Sequence, residues 1–448
     1  MSLRAKISPF VTRYLTSDRR LAHNREREEK RRRAKGEPHT VHYFHQSDDP
    51  YSALTASCLP RLAERFDIRI EPHLVPPPTD AAAPERERLA VYSRRDAVCL
   101  AEEFGLSFTD YGRQPGDGLI ERSQRLHVAA IERGLFCELA AGIDHAVWQE
   151  NTGELNSIET RIGKEASLAE TGEALQAGEA LRERLGHYLG ATFYYGGEWY
   201  WGLDRLHYLE ARLHELGVFR DSEAFAPMFP PPPLKLASAP PASAQTPALE
   251  FYASLRSPYT YLAIERTIAL AEHYGLRLEV RYVLPMVMRG LPIPPNKRTY
   301  IMLDCKREAT RLGIDYGSVA DPVGRPAERG LAVLDHAIRE GREKSFLLEF
   351  APDVWARGID MDSDRNLRRV VERSGLEWEG AQRALTLNQW RQTAVANRDE
   401  MFGEQIWGVP AFRFGQFATW GQDRMWLLER AIVSQLRGPS DGTRAGNS

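Results

Sequence analysis

The chain repeats itself, because two short motifs from its first half return in the same order in its second half. Asp-Pro-Tyr-Ser at residues 49–52 matches Ser-Pro-Tyr-Thr at 257–260, and Trp-Gly-Leu-Asp-Arg at 201–205 matches Trp-Gly-Gln-Asp-Arg at 420–424. The numbering offsets are 208 and 219, so the second copy is 11 residues longer between its motifs. Self-similarity of this kind predicts two copies of one fold in tandem.

A proline-rich stretch, residues 225–247, lies between the copies and has the composition of a semi-rigid linker. The length of 448 residues also exceeds what one core usually serves. The predicted divisions are a partly disordered basic arm (1–38), a degenerate copy (39–224), the linker (225–247), a second copy (248–438) and a disordered tail (439–448).

Within each copy the apolar pattern indicates strand, helix, strand, a helical block, a hairpin and a closing helix. This order predicts an α/β fold with a helical insertion rather than an alternating doubly wound sheet. In the first copy the predicted elements are a strand at about Thr40 to Phe44, a helix through about Phe66, a strand at Ile68–His73, helices at 87–104, 121–142 and 165–186, a hairpin at Ala191–Trp201 turning at Gly196-Gly197, and a helix at Leu203–Leu216.

Charge is distributed unevenly along the chain. Residues 1–40 contain 12 Lys and Arg against 5 Asp and Glu, whereas the whole chain has a net charge of −3. The remaining body is therefore acidic, which argues against nucleic-acid binding. The charged run at 18–35 fits a solvated arm, or alternatively a basic anchor for an anionic surface or partner.

The four cysteines, Cys58, Cys99, Cys137 and Cys305, form no Cys-x-x-Cys pair. Their sparseness argues against a disulfide scaffold or a zinc site and favours a reducing, cytoplasmic compartment. We find no apolar run of about 18 residues and no apolar secretory core, so neither a membrane span nor secretion is expected.

Two further groups of side chains favour ordinary structural roles. His42 and His45 are three residues apart on a predicted strand, so they point to opposite faces and predict no joint metal site. The aromatic run at 193–201 has no basic residues interleaved, and is better explained as hairpin core than as a base-stacking surface.

The most informative local feature is the junction at Ser257. An apolar strand at 249–253 leads into Ser257-Pro258, a pair that suits a helix N-cap followed by the first helical residue. The N-terminus of a helix attracts anions, so this position could hold the thiolate of a small-molecule cofactor. A Ser-Pro pair also serves simply to start a helix, and the pair by itself leaves both roles open.

With the other motifs of the second copy, the pattern resembles a known family. Phe251-Tyr252, Ser257-Pro258-Tyr259, residues 408–412 (Gly-Val-Pro-Ala-Phe) and residues 420–424 resemble 2-hydroxychromene-2-carboxylate isomerases and kappa-class glutathione transferases. These belong to the DsbA-like branch of the thioredoxin superfamily. The resemblance spans about residues 248–436 and, more weakly, 40–216. It implies two tandem thioredoxin-like, DsbA-like domains, each with an inserted helical subdomain.

The resemblance also implies site residues and a cofactor, glutathione. The hydroxyl of Ser257 would hold the glutathione sulfur, Val409 before a cis-Pro410 would pair with the cysteinyl group, and Gln422-Asp423 would receive the γ-glutamyl group. The full set of implied glutathione-binding residues is Ser257, Pro258, Tyr259, Lys297, Val409, Pro410, Gln422 and Asp423. The Gly-Asn pair that the family often has before its Pro-Pro stretch is absent from residues 287–295.

The first copy departs from this pattern at its key positions. Asp49 stands where Ser257 stands in the second copy, and Ala191 stands in the place of Pro410. A carboxylate beside a thiolate would raise the thiol pKa, so we expect no glutathione activation there. Asp204 and Arg205 remain, and the expected role of this copy is structural, as an intramolecular partner of the second. A separate activity that uses Asp49 is the alternative.

Three functions follow in order of preference. The first is a glutathione-dependent isomerase or transferase that acts on a small-molecule electrophile through Ser257. The second is a non-catalytic binding or scaffold protein with two decayed sites. The third, a dithiol oxidoreductase, is disfavoured because neither copy has the thiols for exchange at these positions.

Overall fold

The computed structural model describes residues 3–220, 224–291 and 293–438. The chain divides into two compact units. The N-terminal unit comprises residues 21–231 and 293–300, and the C-terminal unit comprises the described residues of the ranges 1–20, 232–292 and 301–448. The expected tail, 439–448, lies outside the described residues.

The N-terminal unit contains one four-stranded sheet and a block of helices inserted between its second and third strands. Its elements, with the two helices that precede them, are α1 (Leu3–Leu15), α2 (Asp18–Lys35), β1 (Thr40–His45), α3 (Pro50–Ala56), α4 (Leu59–Arg65), β2 (Arg69–Leu74), α5 (Arg86–Phe104), α6 (Asp117–Glu132), α7 (Phe136–Trp148), α8 (Thr152–Ile162), α9 (Leu168–Leu185), β3 (Thr192–Tyr195), β4 (Glu198–Trp201) and α10 (Gly202–Glu215).

Over the residues that the structure describes, the C-terminal unit has the same order of strands, with one α-helix between its first two strands and six in its insertion. Its elements are β5 (Leu249–Ala253), α11 (Pro258–His273), β6 (Leu278–Tyr282), α12 (Pro295–Leu312, which begins in the N-terminal unit), α13 (Arg325–Arg339), α14 (Glu343–Trp355), α15 (Asp364–Arg373), α16 (Trp378–Leu385), α17 (Gln389–Gly403), β7 (Ala411–Phe414), β8 (Phe417–Trp420) and α18 (Met425–Arg437).

The two sheets have the same topology. Their strand orders are β2-β1-β3-β4 and β6-β5-β7-β8, with the first pair parallel and the other two pairs antiparallel. All five residues of β5 are buried, as expected for a central strand covered on both faces. Phe251 on β5 stacks on its register partner Phe412 on β7, with ring centroids 5.4 Å apart. Both units thus have the expected α/β fold with a helical insertion.

The turn chemistry of the first hairpin was readable from the sequence, whereas the helix boundaries were less so. Gly196 and Gly197 join β3 to β4 with φ of 55° and 87°, the left-handed conformation that a two-residue hairpin turn requires. The single helix predicted at 121–142 is instead α6 followed by α7. Gly134, with φ of 70°, ends the first helix before the second begins. Helix α8 was not predicted.

The basic N-terminal segment is helical over residues 3–15 and 18–35, where a partly disordered arm was expected. Acidic residues spaced three or four positions from basic ones support α2. Glu26 pairs with Lys30 at 2.7 Å and Glu29 with Arg33 at 2.6 Å. Arg25 also bonds Glu198 of β4 at 2.6 Å, so the helix is attached to the sheet of the N-terminal unit.

The proline-rich linker is held by one buried glutamate in each unit. Glu429 on α18 accepts hydrogen bonds from Lys235 N at 2.7 Å and Ala237 N at 2.9 Å. The corresponding residue of α10, Glu210, accepts from Met228 N at 3.0 Å. These bonds tie each end of the segment to its own unit, which the proline content did not indicate. No helix in the described parts of the chain combines the length and apolar character needed to cross a membrane.

Candidate active site

The hydroxyl of Ser257 caps helix α11 at the end of β5. Its Oγ accepts a hydrogen bond from Thr260 N at 3.1 Å, and Pro258 occupies the first helical position. Ser257 itself is only partly buried. The N-cap expected from the Ser-Pro pair is confirmed, and the cap leaves its oxygen at the positive end of a 16-residue helix.

The same hydroxyl reaches the segment before β7. Ser257 Oγ donates to the carbonyl oxygen of Val409 at 3.4 Å, across 152 positions of sequence. The peptide bond between Val409 and Pro410 is cis, as the family resemblance implied. Ser257, Val409 and Pro410 are therefore brought together in the C-terminal unit.

This hydroxyl has one proton and two acceptor lone pairs. The proton is directed to Val409 O over a distance well beyond the usual O–H···O range of about 2.7–2.8 Å, so this bond is weak. An anion placed near Ser257 Oγ could therefore take the proton as a hydrogen bond at little cost, while the bond from Thr260 N keeps the oxygen in place.

Tyr259, in the first turn of α11, is directed by an acid on α12. Its hydroxyl donates to Asp304 Oδ2 at 2.8 Å, and Asp304 is buried. Next to this site Arg256 makes two hydrogen bonds to Asp321, at 2.8 and 2.9 Å. These two acids fix the loop and the first turn around Ser257, and neither was identified from the sequence.

Gln422 is buried, with a relative exposure of 1%, and both ends of its amide are used within the protein. Its Oε1 accepts from Arg266 at 2.8 Å, and its Nε2 donates to Glu308 at 2.8 Å. Burial lowers the pKa of Arg266 to about 10, so this cation depends on its acceptors. The adjacent Asp423 keeps 26% of its side chain exposed. Of the expected Gln422-Asp423 pair, Asp423 is the one that is open to solvent.

The described contacts of Lys297 are with the N-terminal unit, to which it belongs. Its Nζ donates to Ala82 O at 2.7 Å and lies 5.6 Å from the ring centroid of Tyr188. Burial lowers the pKa of this ammonium group to about 8. The family resemblance implied that Lys297 belongs with Ser257. In the structure, Lys297 belongs to the N-terminal unit and Ser257 to the C-terminal unit.

In the N-terminal unit Asp49 occupies the position of Ser257. One carboxylate oxygen accepts from Tyr51 N at 3.2 Å, and the other accepts from Ser52 N at 3.1 Å and Ser52 Oγ at 2.9 Å. Burial raises the pKa of Asp49 to about 6. Ala191 replaces the proline, although its carbonyl still accepts from Gly202 N, as the carbonyl of Pro410 accepts from Gly421 N. Asp49 thus acts as a helix cap with its acceptors occupied.

With this geometry established, comparison with known proteins identifies the C-terminal unit. Residues 248–433 match the family model described as the DSBA-like thioredoxin domain. The C-terminal unit therefore has the expected DsbA-like thioredoxin fold. The match covers the strand before Ser257, the helical insertion, the cis-proline and most of α18.

Similar proteins of this DsbA-like group carry an isomerase name. A 2-hydroxychromene-2-carboxylate isomerase from Pseudomonas putida is 25% identical over 201 residues, which are 43% of this chain and 98% of that protein. One from Pseudomonas sp. (strain C18) is 24% identical over 193 residues, 41% of this chain and 89% of that protein. A solved structure of 2-hydroxychromene-2-carboxylate isomerase has 26% identity, covers 41% of this chain and 94% of its own, and gives a TM-score of 0.35.

Proposed function

We propose that the DsbA-like domain of the C-terminal unit is a glutathione-dependent isomerase or transferase that acts on an electrophilic small molecule. One observation carries the proposal: the Ser257 hydroxyl caps α11 and lies 3.4 Å from the carbonyl before the cis-proline, on a partly exposed surface. The isomerase names of the similar Pseudomonas proteins support the reaction class.

The proposed role of Ser257 is to stabilise a thiolate. A free thiol has a pKa of about 8.5, and a helix N-terminus lowers this value because its partial positive charge favours the anion. The hydroxyl would turn its proton from Val409 O to the bound sulfur, which adds one hydrogen bond to the charged form. Both effects increase the fraction of thiolate at neutral pH.

The thiolate then acts as a nucleophile. It adds to an electron-poor carbon–carbon double bond of the substrate, and the resulting carbanion or enolate has a single bond about which it can rotate. Expulsion of the thiolate after rotation regenerates the double bond with the opposite geometry, which is isomerisation. Protonation of the adduct without expulsion gives a conjugate, which is glutathione transfer.

The rest of glutathione would bind along the segments around β7 and β8. The backbone of Val409, next to the cis-proline, would pair with the cysteinyl residue in the manner of a short strand. The partly exposed carboxylate of Asp423 would accept the γ-glutamyl ammonium group. Gln422 would act indirectly, since its amide is engaged by Arg266 and Glu308.

Calorimetric titration of the full chain with reduced glutathione tests this function. We expect one binding site in the wild type and weaker binding in Ser257→Ala. In a parallel ultraviolet measurement, Ser257→Ala should also lose the absorbance of the bound glutathione thiolate. The matched control is Asp49→Ala at the equivalent position of the N-terminal unit, which should bind glutathione as the wild type does. Absence of binding at millimolar glutathione, or equal binding by Ser257→Ala, would refute the proposal.

The competing function is a non-catalytic binding protein, and the internal engagement of Gln422 favours it. Turnover separates the two functions. A binding protein would take up glutathione without accelerating the isomerisation of 2-hydroxychromene-2-carboxylate or the addition of glutathione to an electron-poor alkene. An enzyme of either proposed type accelerates at least one of these reactions in a Ser257-dependent manner.

A further inference from the structure

The N-terminal unit contains a buried polar cluster that the proposed function does not use. It consists of His45 on β1, His127 on α6 and Asp144 on α7, with relative exposures of 0%, 0% and 1%. Both imidazoles direct Nε2 at the same carboxylate oxygen, Asp144 Oδ1, at 3.2 Å from His45 and 3.4 Å from His127. Three elements thus converge on one point inside the unit.

The hydrogen bonds of Tyr43 favour one tautomer of His45. The Tyr43 hydroxyl donates its only proton to Ser52 O at 3.1 Å, which leaves its lone pairs to accept from His45 Nδ1 at 3.2 Å. In the tautomer that donates from Nδ1 to Tyr43 OH, His45 presents the bare lone pair of Nε2 to the carboxylate.

His127 also has a hydroxyl oxygen beside its Nδ1. Its Nδ1 lies 3.2 Å from Ser47 Oγ, while its Nε2 and the second carboxylate oxygen, Asp144 Oδ2, have no hydrogen-bond partner among the described residues. Buried polar atoms without partners are costly, and these two belong to side chains that contact each other through Asp144 Oδ1.

We propose that His45 Nε2, His127 Nε2 and the Asp144 carboxylate bind one divalent first-row transition metal ion, with Zn²⁺ as the reference ion. A tetrahedral ion with ligands at about 2.0–2.2 Å separates its ligand atoms by about 3.3 Å. The two nitrogen–oxygen separations, 3.2 and 3.4 Å, match that spacing, and all three ligand atoms lie within 4.8 Å of one another. The cation would also neutralise the buried carboxylate and satisfy the unpartnered atoms.

The surrounding hydroxyls are placed as outer partners of such a site. Imidazole ligands typically donate their other N–H to an oxygen, which fixes the ring and the tautomer. Tyr43 OH and Ser47 Oγ lie at the Nδ1 atoms of His45 and His127, respectively. Two imidazoles and one carboxylate form a donor set used by Zn²⁺ and Fe²⁺ centres.

The C-terminal unit provides an internal comparison, because its equivalent positions are apolar. The strand registers place Ala253 at the position of His45. The helix pairs α6 and α13, and α7 and α14, end 207 residues apart, which places Leu334 and Ala351 at the positions of His127 and Asp144. All three belong to the hydrophobic core of that unit. The fold therefore does not require polar groups here, and the cluster is particular to the N-terminal unit.

A second trio in the same unit, His42, Glu71 and His73, supplies a control. His42 is on β1, and Glu71 and His73 are on the neighbouring strand β2; all three are partly exposed. His42 Nδ1 lies 3.0 Å from His73 Nε2 and 3.3 Å from Glu71 Oε2. Because the side chains of this trio are partly exposed, water can form hydrogen bonds with their polar atoms. Variants of this trio report on adventitious surface binding.

The test uses the full chain, stripped with dipicolinate and then titrated with Zn²⁺ or Co²⁺. We expect one equivalent of Zn²⁺ by mass spectrometry and visible d–d absorption bands with Co²⁺. Asp144→Asn should weaken Zn²⁺ binding by more than about 100-fold, and Ser47→Ala by about 10–100-fold as an outer partner. His73→Gln should leave the affinity and the Co²⁺ spectrum unchanged.

Three results would overturn the site. The wild type could take up no stoichiometric ion and give no d–d bands, which would assign the cluster to a proton shared between imidazole and carboxylate. His73→Gln could abolish binding, which would assign the ion to the surface trio. A folded Asp144→Asn could bind as tightly as the wild type. Should Asp144→Asn fail to fold, the wild-type Co²⁺ spectrum and His73→Gln still decide.

Discussion

The hydroxyl of Ser257 lies 3.4 Å from the carbonyl oxygen of Val409 and 3.1 Å from the amide nitrogen of Thr260. The second bond anchors the oxygen, while the first is long enough to be exchanged for another acceptor. This single side chain therefore joins the start of α11 to the segment before β7.

Ser257→Ala should affect stability and glutathione binding together. Loss of an N-cap typically costs about 1 kcal/mol, and the thiolate would lose its hydroxyl donor. The matched control is Ser167→Ala, which removes the cap and capping box of α9. It should cost a similar free energy of unfolding but leave calorimetric glutathione binding unchanged. Equal effects of both variants on binding would mean that Ser257 only caps the helix.

Ser257→Cys should produce a thiol with a pKa below the ordinary value of about 8.5, because the helix N-terminus favours the thiolate. The rate of iodoacetamide alkylation against pH measures this value. The wild type is the background control: Cys58 and Cys305 are buried, and burial raises the pKa of Cys58 and of Cys137. A midpoint at or above the ordinary value would argue against thiolate stabilisation at this helix start.

Gln422 and Asp423 should respond in opposite ways to substitution. Gln422→Leu leaves Arg266 and Glu308 without their amide partner in a buried setting, and should lower the free energy of unfolding by about 1–3 kcal/mol. Asp423→Asn, at a partly exposed position, should change stability by less than about 0.5 kcal/mol but weaken glutathione binding. Denaturant titration and calorimetry on both variants measure the contrast, and the reverse pattern would contradict it.

The N-terminal unit should lose stability in acid because of His187. This buried ring accepts from Leu189 N at 3.2 Å and packs against Trp199, and burial lowers its pKa to about 3. The unfolded chain takes up the proton near pH 6.5, so the stability present above that pH is lost as the pH falls towards 3. The slope is up to about 1.4 kcal/mol per pH unit for one proton.

Denaturant titrations at pH 7, 5.5 and 4.5 measure that slope. His187→Asn keeps an acceptor near Leu189 N. It should reduce the slope of unfolding free energy against pH by the contribution of one proton. His273→Asn, at an exposed position of the C-terminal unit, should leave the slope unchanged. An unaltered slope in His187→Asn would show that other groups account for the acid sensitivity.

Much of the fold was determined by patterns that are local in the sequence. The Gly196-Gly197 turn, the Ser257-Pro258 helix start and the alternation of strands and helices each depend on backbone preferences of a few neighbouring residues. Because the motifs recur, the elements predicted in one copy were also expected in the other. The cis bond before Pro410 followed from family resemblance, since most X-Pro bonds are trans.

The rest was decided by contacts between distant parts of the chain. Sequence could name Gln422 and Lys297 as candidates, but only the packed structure shows that Gln422 is enclosed by Arg266 and Glu308 and that Lys297 donates to Ala82 O. The His45–Asp144 contact joins residues 99 positions apart. Such contacts depend on which helix faces pack together, and this is a property of the whole core rather than of any short stretch of sequence.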